Sequence, residues 1–154
     1  WVGTTKGLFI IELFSFARSR KHFDYIHFNH KLSNPENPTL DKVNCIMQDK
    51  RDTIWIGTNG EGLYKLISDA SGIYQFENYK VKNGLPDNNI IGIVEDQREH
   101  LWLSTNLGIS VLDKQNMVFS NYNKYDGLLT NQFYWSAYMY SKNEDLVYFG
   151  NTAV

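Results

Sequence analysis

The stretch Trp55-Ile56-Gly57-Thr58-Asn59-Gly60-Glu61-Gly62-Leu63-Tyr64 decides the fold, because the chain writes it more than once. Variants stand at Trp1-Val2-Gly3-Thr4-Thr5-Lys6-Gly7-Leu8-Phe9, at Trp102-Leu103-Ser104-Thr105-Asn106-Leu107-Gly108-Ile109, and at Tyr148-Phe149-Gly150-Asn151-Thr152. Their leading aromatics are 54, 47 and 46 residues apart. A period in the forties is that of a four-stranded unit repeated around an axis. Apolar residues on consecutive positions, Ile54-Trp55-Ile56 and then Leu101-Trp102-Leu103, imply a strand buried on both faces. The Gly and Asn residues that follow suit a tight hairpin with positive φ. They do not suit a phosphate loop, which needs a Lys and a following helix where this chain has Leu63-Tyr64-Lys65.

The repeat continues on both sides. Upstream lie Val43-Asn44-Cys45-Ile46-Met47-Gln48-Asp49 and Ile90-Ile91-Gly92-Ile93-Val94-Glu95-Asp96, each aspartate six residues before its Trp. Downstream come Phe76-Glu77-Asn78-Tyr79 and Phe119-Ser120-Asn121-Tyr122, followed by Asn83-Gly84-Leu85-Pro86-Asp87-Asn88-Asn89 and Tyr125-Asp126-Gly127-Leu128-Leu129-Thr130-Asn131. Each unit thus holds four short runs, labelled A to D, separated by turn residues. The runs are predicted at 43–48, 54–58, 62–67 and 74–80, and again at 90–95, 101–105, 109–112 and 117–122. The first unit begins with B at 1–4, C at 7–13 and D near 23–28; the last has A at 133–140 and B at 146–150. The predicted fold class is all-β, a partial β-propeller of two complete four-stranded blades and two incomplete flanking blades. The division is 1–30 (strands B to D), 31–80, 81–122 and 123–154 (strands A and B). The extra length of the first unit falls in loop insertions around Phe14–His22 and Ser33–Leu40.

Composition agrees. Aromatics make up 15% of the 154 residues, and they favour pleated, half-buried surfaces. A net charge of -2, from 15 basic and 17 acidic residues, gives no global field for nucleic acid or an anionic membrane. Cys45, the single cysteine, lies in an apolar run and reads as a small buried hydrophobe. No apolar stretch approaches the roughly 20 residues of a membrane helix. The chain starts and stops inside motifs, so it reads as a section of a larger protein. Open blade faces predict association with further blades or with further copies of the chain.

The pattern Val/Ile-x-x-Ile-x-x-Asp, then Trp-Ile-Gly-Thr-x-x-Gly-Leu, then Phe-x-x-Tyr, then Gly-Leu-Pro resembles the two-component-regulator propeller repeat. Units two and three match over nearly their whole length. Ser104, Leu129 and Tyr148 depart from it, standing where the repeat has Gly, Pro and Trp. The resemblance implies the periplasmic sensor of a Bacteroidetes hybrid two-component system, reading oligosaccharides and controlling glycan-utilisation genes. It also implies that this is the C-terminal part of the propeller, with an immunoglobulin-like domain following. The histidine kinase would lie outside this chain, which itself would not be an enzyme.

Candidate chemistry is sparse. Asp49 and Asp96 occupy equivalent slots of successive blades, so they cap turns and do not converge as a glycosidase pair. His22, His27, His30 and His100 lack metal-ligand spacing, and neither metal nor cofactor is expected. Arg18-Ser19-Arg20-Lys21 reads as a solvated loop. The aromatic run Tyr134, Trp135, Tyr138 and Tyr140 reads first as packing between blades and second as a platform for sugar rings. D-to-A and B-to-C connections of a blade leave on the same rim. That rim would gather Asp87, Asn88, Asn89, Asn131 and Gln132 together with Asn59, Glu61 and Asn106, and Trp135 joins the candidate ligand contacts. Amides that both donate and accept suit a neutral polyhydroxyl ligand. Two rivals remain: a scaffold binding protein through this rim, and a propeller-fold lyase, which needs a convergent His/Glu/metal constellation.

Overall fold

A computed structural model describes residues 1–11, 25–28, 40, 42–68 and 74–151. The described strands form four antiparallel sheets in sequence order. The first holds β1 (Val2–Thr4), β2 (Gly7–Ile11) and β3 (Tyr25–Phe28). The second is β4 (Val43–Gln48), β5 (Ile54–Thr58), β6 (Leu63–Ser68) and β7 (Tyr74–Tyr79). The third is β8 (Ile90–Glu95), β9 (Leu101–Thr105), β10 (Gly108–Asp113) and β11 (Val118–Tyr122). The last pairs β12 (Phe133–Ser141) with β13 (Leu146–Asn151). Two complete blades and two partial ones are therefore present, as the repeat predicts. Away from the undescribed segments, strand ends differ from the predicted runs by at most one residue. The outer ends of the first unit's C and D runs lie outside the described residues. So do Phe14–His22, Ser33–Thr39, the Arg18–Lys21 run, His22 and His30. No described helix is long and apolar enough to cross a membrane.

Trp55 and Trp102 stand in the same slot. Trp55 lies between Met47 and Lys65, and Trp102 between Val94 and Val111. β5 is buried at every position, as its unbroken apolar run requires. Blades shield one another. Leu8 and Leu40 join Ile54, Ile56 and Tyr64 between the first and second sheets, where Phe28 meets Phe76 edge-on at 5.3 Å. Trp55, Leu63, Ile90, Leu101, Leu103 and Leu112 fill the second boundary, and Tyr79 meets Phe119 across it at 6.1 Å. Ile91, Ile109 and Phe133 begin the third.

Close approach of the inner strands rests on small residues facing each other. Cys45 pairs with Gly57, and Gly92 pairs with Ser104. A Cβ on Gly57 would stand 2.7 Å from Ile90 Cγ2, and one on Gly92 would overlap the Tyr138 ring. The departure at Ser104 is thus offset by glycine across the pair, which exchanges bulk between the two strands. Its buried hydroxyl has no hydrogen-bond partner among the described residues.

Gly92→Ala is expected to cost about 1–3 kcal/mol by overpacking against Tyr138. Chemical denaturation checks this. In the Gly92→Ala/Tyr138→Ala double variant, the two losses should sum to less than their separate values.

Candidate functional site

The blades present two rims of different chemistry. On the rim of A–B and C–D turns, one aspartate per complete blade ties turn to strand. Asp49 Oδ1 accepts from the Arg51 and Thr53 amides, both at 2.9 Å, and its Oδ2 accepts from Trp55 Nε1 at 2.9 Å. Asp96 repeats this, accepting from the His100 amide and from Trp102 Nε1 at 2.9 Å each. The two carboxylates are spent on turn capping, as their equivalence predicts. In the last sheet Tyr148 replaces the Trp and its hydroxyl donates to Glu144 Oε2 at 2.8 Å.

The sequence did not betray Lys114. From the C–D turn of the third blade it donates to Asp49 Oδ2 of the second blade at 2.8 Å and to Glu95 Oε1 at 2.6 Å. All three side chains are at most 8% exposed. Glu95 Oε2 also accepts from the Lys50 amide at 2.9 Å, so a buried ionic staple joins two blades. Burial alone would raise the pKa of Asp49. Hydrogen bonds from Lys114, Trp55 and the Thr53 and Arg51 amides overcome it and hold the carboxyl at about 2. Burial would likewise lower Lys114, but its two carboxylate partners raise it. At Cys45, burial pushes the thiol up to about 12, so the residue behaves as the small hydrophobe its setting suggests.

The opposite rim gathers the predicted loop residues. Each of the two fully described D–A connections opens with a 3-10 turn, Val81–Asn83 or Lys124–Asp126, ended by a left-handed glycine, Gly84 or Gly127. Asn88 Oδ1 accepts from the Val81 amide at 2.9 Å, while its carbonyl accepts from the amides of Gly60 and Gly62. Asn131 does the same work one blade on, with Lys124 and Gly108. Buried Asn89 accepts through Oδ1 from Asn44 Nδ2 at 2.9 Å and so links two blades. D–A and B–C loops therefore do share a rim, but the amide oxygens of Asn88, Asn89 and Asn131 are occupied in building it. Asn59, Asn106 and Gln132 are exposed.

The aromatic run of β12 divides. Tyr138 is half-buried over Gly92, in keeping with packing between blades, whereas Tyr134 and Trp135 are 57% and 53% exposed. An enlarged bulge is the reason. In β4 and β8 the register slips between Val43 and Cys45, and between Ile90 and Gly92, two residues against one. In β12 it slips between Phe133 and Tyr138, five residues against the two from Asn151 to Phe149. Within this bulge Ser136 has a φ of 55°, a left-handed conformation uncommon outside glycine. Bulges of this kind re-aim side chains beside functional sites. Tyr125, Leu129 and Leu107 are further exposed apolar residues of the same D–A and B–C loops. Among the described residues, no three His, Cys, Asp or Glu side chains are placed to hold a metal ion.

Radial antiparallel sheets of four strands, locked by one Asp–Trp pair each, define a segment of a β-propeller. The model of the two component regulator propeller family matches residues 38–60 and 84–107, the A and B strands of the two complete blades with their flanking turns. "Histidine kinase P4" of Formosa agariphila is 25% identical over 154 residues, covering 99% of this chain and 10% of that protein. The extracellular domain of a protein described as a hybrid two component system of B. thetaiotaomicron superimposes with a TM-score of 0.63 at 21% identity, covering 82% of this chain and 18% of that one. PorZ, a surface component of the type-IX secretion system of Porphyromonas gingivalis, gives 0.69 at 15% identity, covering 98% and 22%. The chain thus spans about a tenth of the curated relative and about a fifth of these solved chains.

Because the folded pKa of Asp49 lies below its ordinary 3.8, the staple contributes stability above about pH 4 and loses it as pH falls toward 2. Asp49→Asn should remove that acid limb and lower stability at pH 7 by on the order of 2 kcal/mol. Urea midpoints measured from pH 7 to pH 2 test this; parallel wild-type and variant curves would refute it.

Proposed function

We propose that this chain is a ligand-reading segment of an extracytoplasmic two-component sensor, taking neutral oligosaccharides on the D–A/B–C rim. The observation that carries the reading is the bulge of β12, which turns Tyr134 and Trp135 outward at a rim already lined by Gln132, Asn106 and Asn59. An exposed indole and phenol offer apolar faces to sugar C–H groups, while neighbouring amides serve the hydroxyls. The family of the repeat, a histidine kinase relative and an extracellular-domain neighbour support a sensor facing the periplasm. Control of glycan-utilisation genes is the output this reading assigns to the larger protein. Bound ligand would favour one arrangement of blades or adjoining domains, and that bias is the signal.

A second reading, a protein-binding scaffold, is favoured by exposed Leu107 and Leu129, which lack hydrogen-bonding groups for a sugar.

Calorimetric titration with a panel of neutral oligosaccharides tests the proposal. Tyr134→Ala/Trp135→Ala should weaken binding of the sugar that binds by about ten-fold or more, with the circular dichroism spectrum unchanged because both rings are exposed. Gln132→Ala should weaken it less. Affinity indifferent to the aromatic pair would overturn the sugar platform, and binding lost only on Leu107→Asp/Leu129→Asp would transfer the rim to a protein partner.

A further inference from the structure

Where the inner strands β4, β8 and β12 run into their A–B turns, they enclose a cleft of about 420 Å³. That is a size typical of small-molecule sites. Its floor is apolar, formed by Met47, Ile93 and Tyr138, which also pack into the core between the second and third blades. Asp49 and Glu95 stand in its wall, but Lys114, Trp55 and the Lys50 amide already take up their oxygens. The neutral polar groups are committed too. Gln48 Nε2 donates to Asp52 at 3.0 Å, and the Tyr140 hydroxyl donates to Asp145 at 2.7 Å. What remains is cationic. Lys50 and Lys142 line the same cleft. Lys50 Nζ spends one proton on the Asp96 carbonyl at 2.8 Å, and the Lys142 ammonium has no partner among the described residues.

Lys142 is itself a departure from the repeat. Asp49 and Asp96 stand six residues before Trp55 and Trp102, and the same slot before Tyr148 holds Lys142. Tyr148 bonds Glu144 instead, at 2.8 Å, so the slot is released from the locking task. Its backbone stays anchored, because Gln97 Nε2 donates to the Lys142 carbonyl at 3.1 Å as Lys50 donates to that of Asp96. An ammonium thus replaces a carboxylate beside an apolar cleft. We propose that the cleft binds a small organic carboxylate with an apolar body. Its anion lies between Lys50 and Lys142, and its body rests on Met47, Ile93 and Tyr138. Ion pairing is stronger beside a low-dielectric wall than in open water, and methionine packs well against apolar and aromatic groups. An acidic sugar fits less well, since its hydroxyls would meet a Gln48 amide and a Tyr140 phenol that are already bonded. This site stands whether or not the opposite rim reads sugars.

NMR of the chain with methyl-labelled methionine, titrated with phenylacetate, tests the proposal. The Met47 signal should shift saturably, while Met117, which does not line the cleft, stays in place. Neutral phenylacetamide has the same body and should bind about ten-fold more weakly. Phenylacetate should lose affinity for Lys142→Gln by a similar factor. Lys142 is exposed, so this variant should keep the fold and the Met117 signal unchanged. A Met47 signal unmoved by tens of millimolar phenylacetate, equal binding of the amide, or affinity indifferent to Lys142→Gln would overturn the assignment. Galacturonate binding more tightly than phenylacetate would overturn the ligand class and give the cleft to an acidic sugar.

Discussion

The bond from an aspartate to the indole six residues later holds the structure at its most repeated point. Asp49 and Asp96 each cap an A–B turn with one oxygen and anchor a buried or half-buried Trp with the other. A polar N–H placed between blades would be costly without a partner. The carboxylate removes that cost and fixes the orientation of the ring. With the ring fixed, the next blade has a defined face to pack on, and the small residues at Cys45/Gly57 and Gly92/Ser104 let the inner strands approach. Two blades then share the Asp49–Lys114–Glu95 staple, which couples the lock of one blade to its neighbour's turn.

The strand runs, the blade count and the equivalence of Trp55 with Trp102 could be read directly, because each rests on local patterns written at least twice. Apolar pairs flanking Trp, turn glycines and the Asp-to-Trp spacing all act within one unit. Lys114 was beyond such reasoning: its partners are 65 and 19 residues away, and only the assembled interface brings them together. The amides of the rim teach the complementary point. Asn88 and Asn131 are chemically suited to a sugar, yet repetition of their position signals a structural task, holding the D–A turn and the B–C hairpin. The bulge of β12 was visible only as an unusually aromatic run, since its register slip needs both strands to be seen.

The rim departs from the repeat at β12, where a register slip of five residues against two leaves Tyr134 and Trp135 exposed, while the equivalent stretches of β4 and β8 slip by two residues against one.

Hydrogen exchange at the indole N–H protons, followed by NMR, tests the central claim most directly. Trp55 and Trp102 should both show hydrogen-bonded, slowly exchanging signals, Trp55 the slower because a blade covers it, while Trp1 and Trp135 exchange freely. Four indoles exchanging at similar rates would mean that the Asp–Trp lock does not organise the blades.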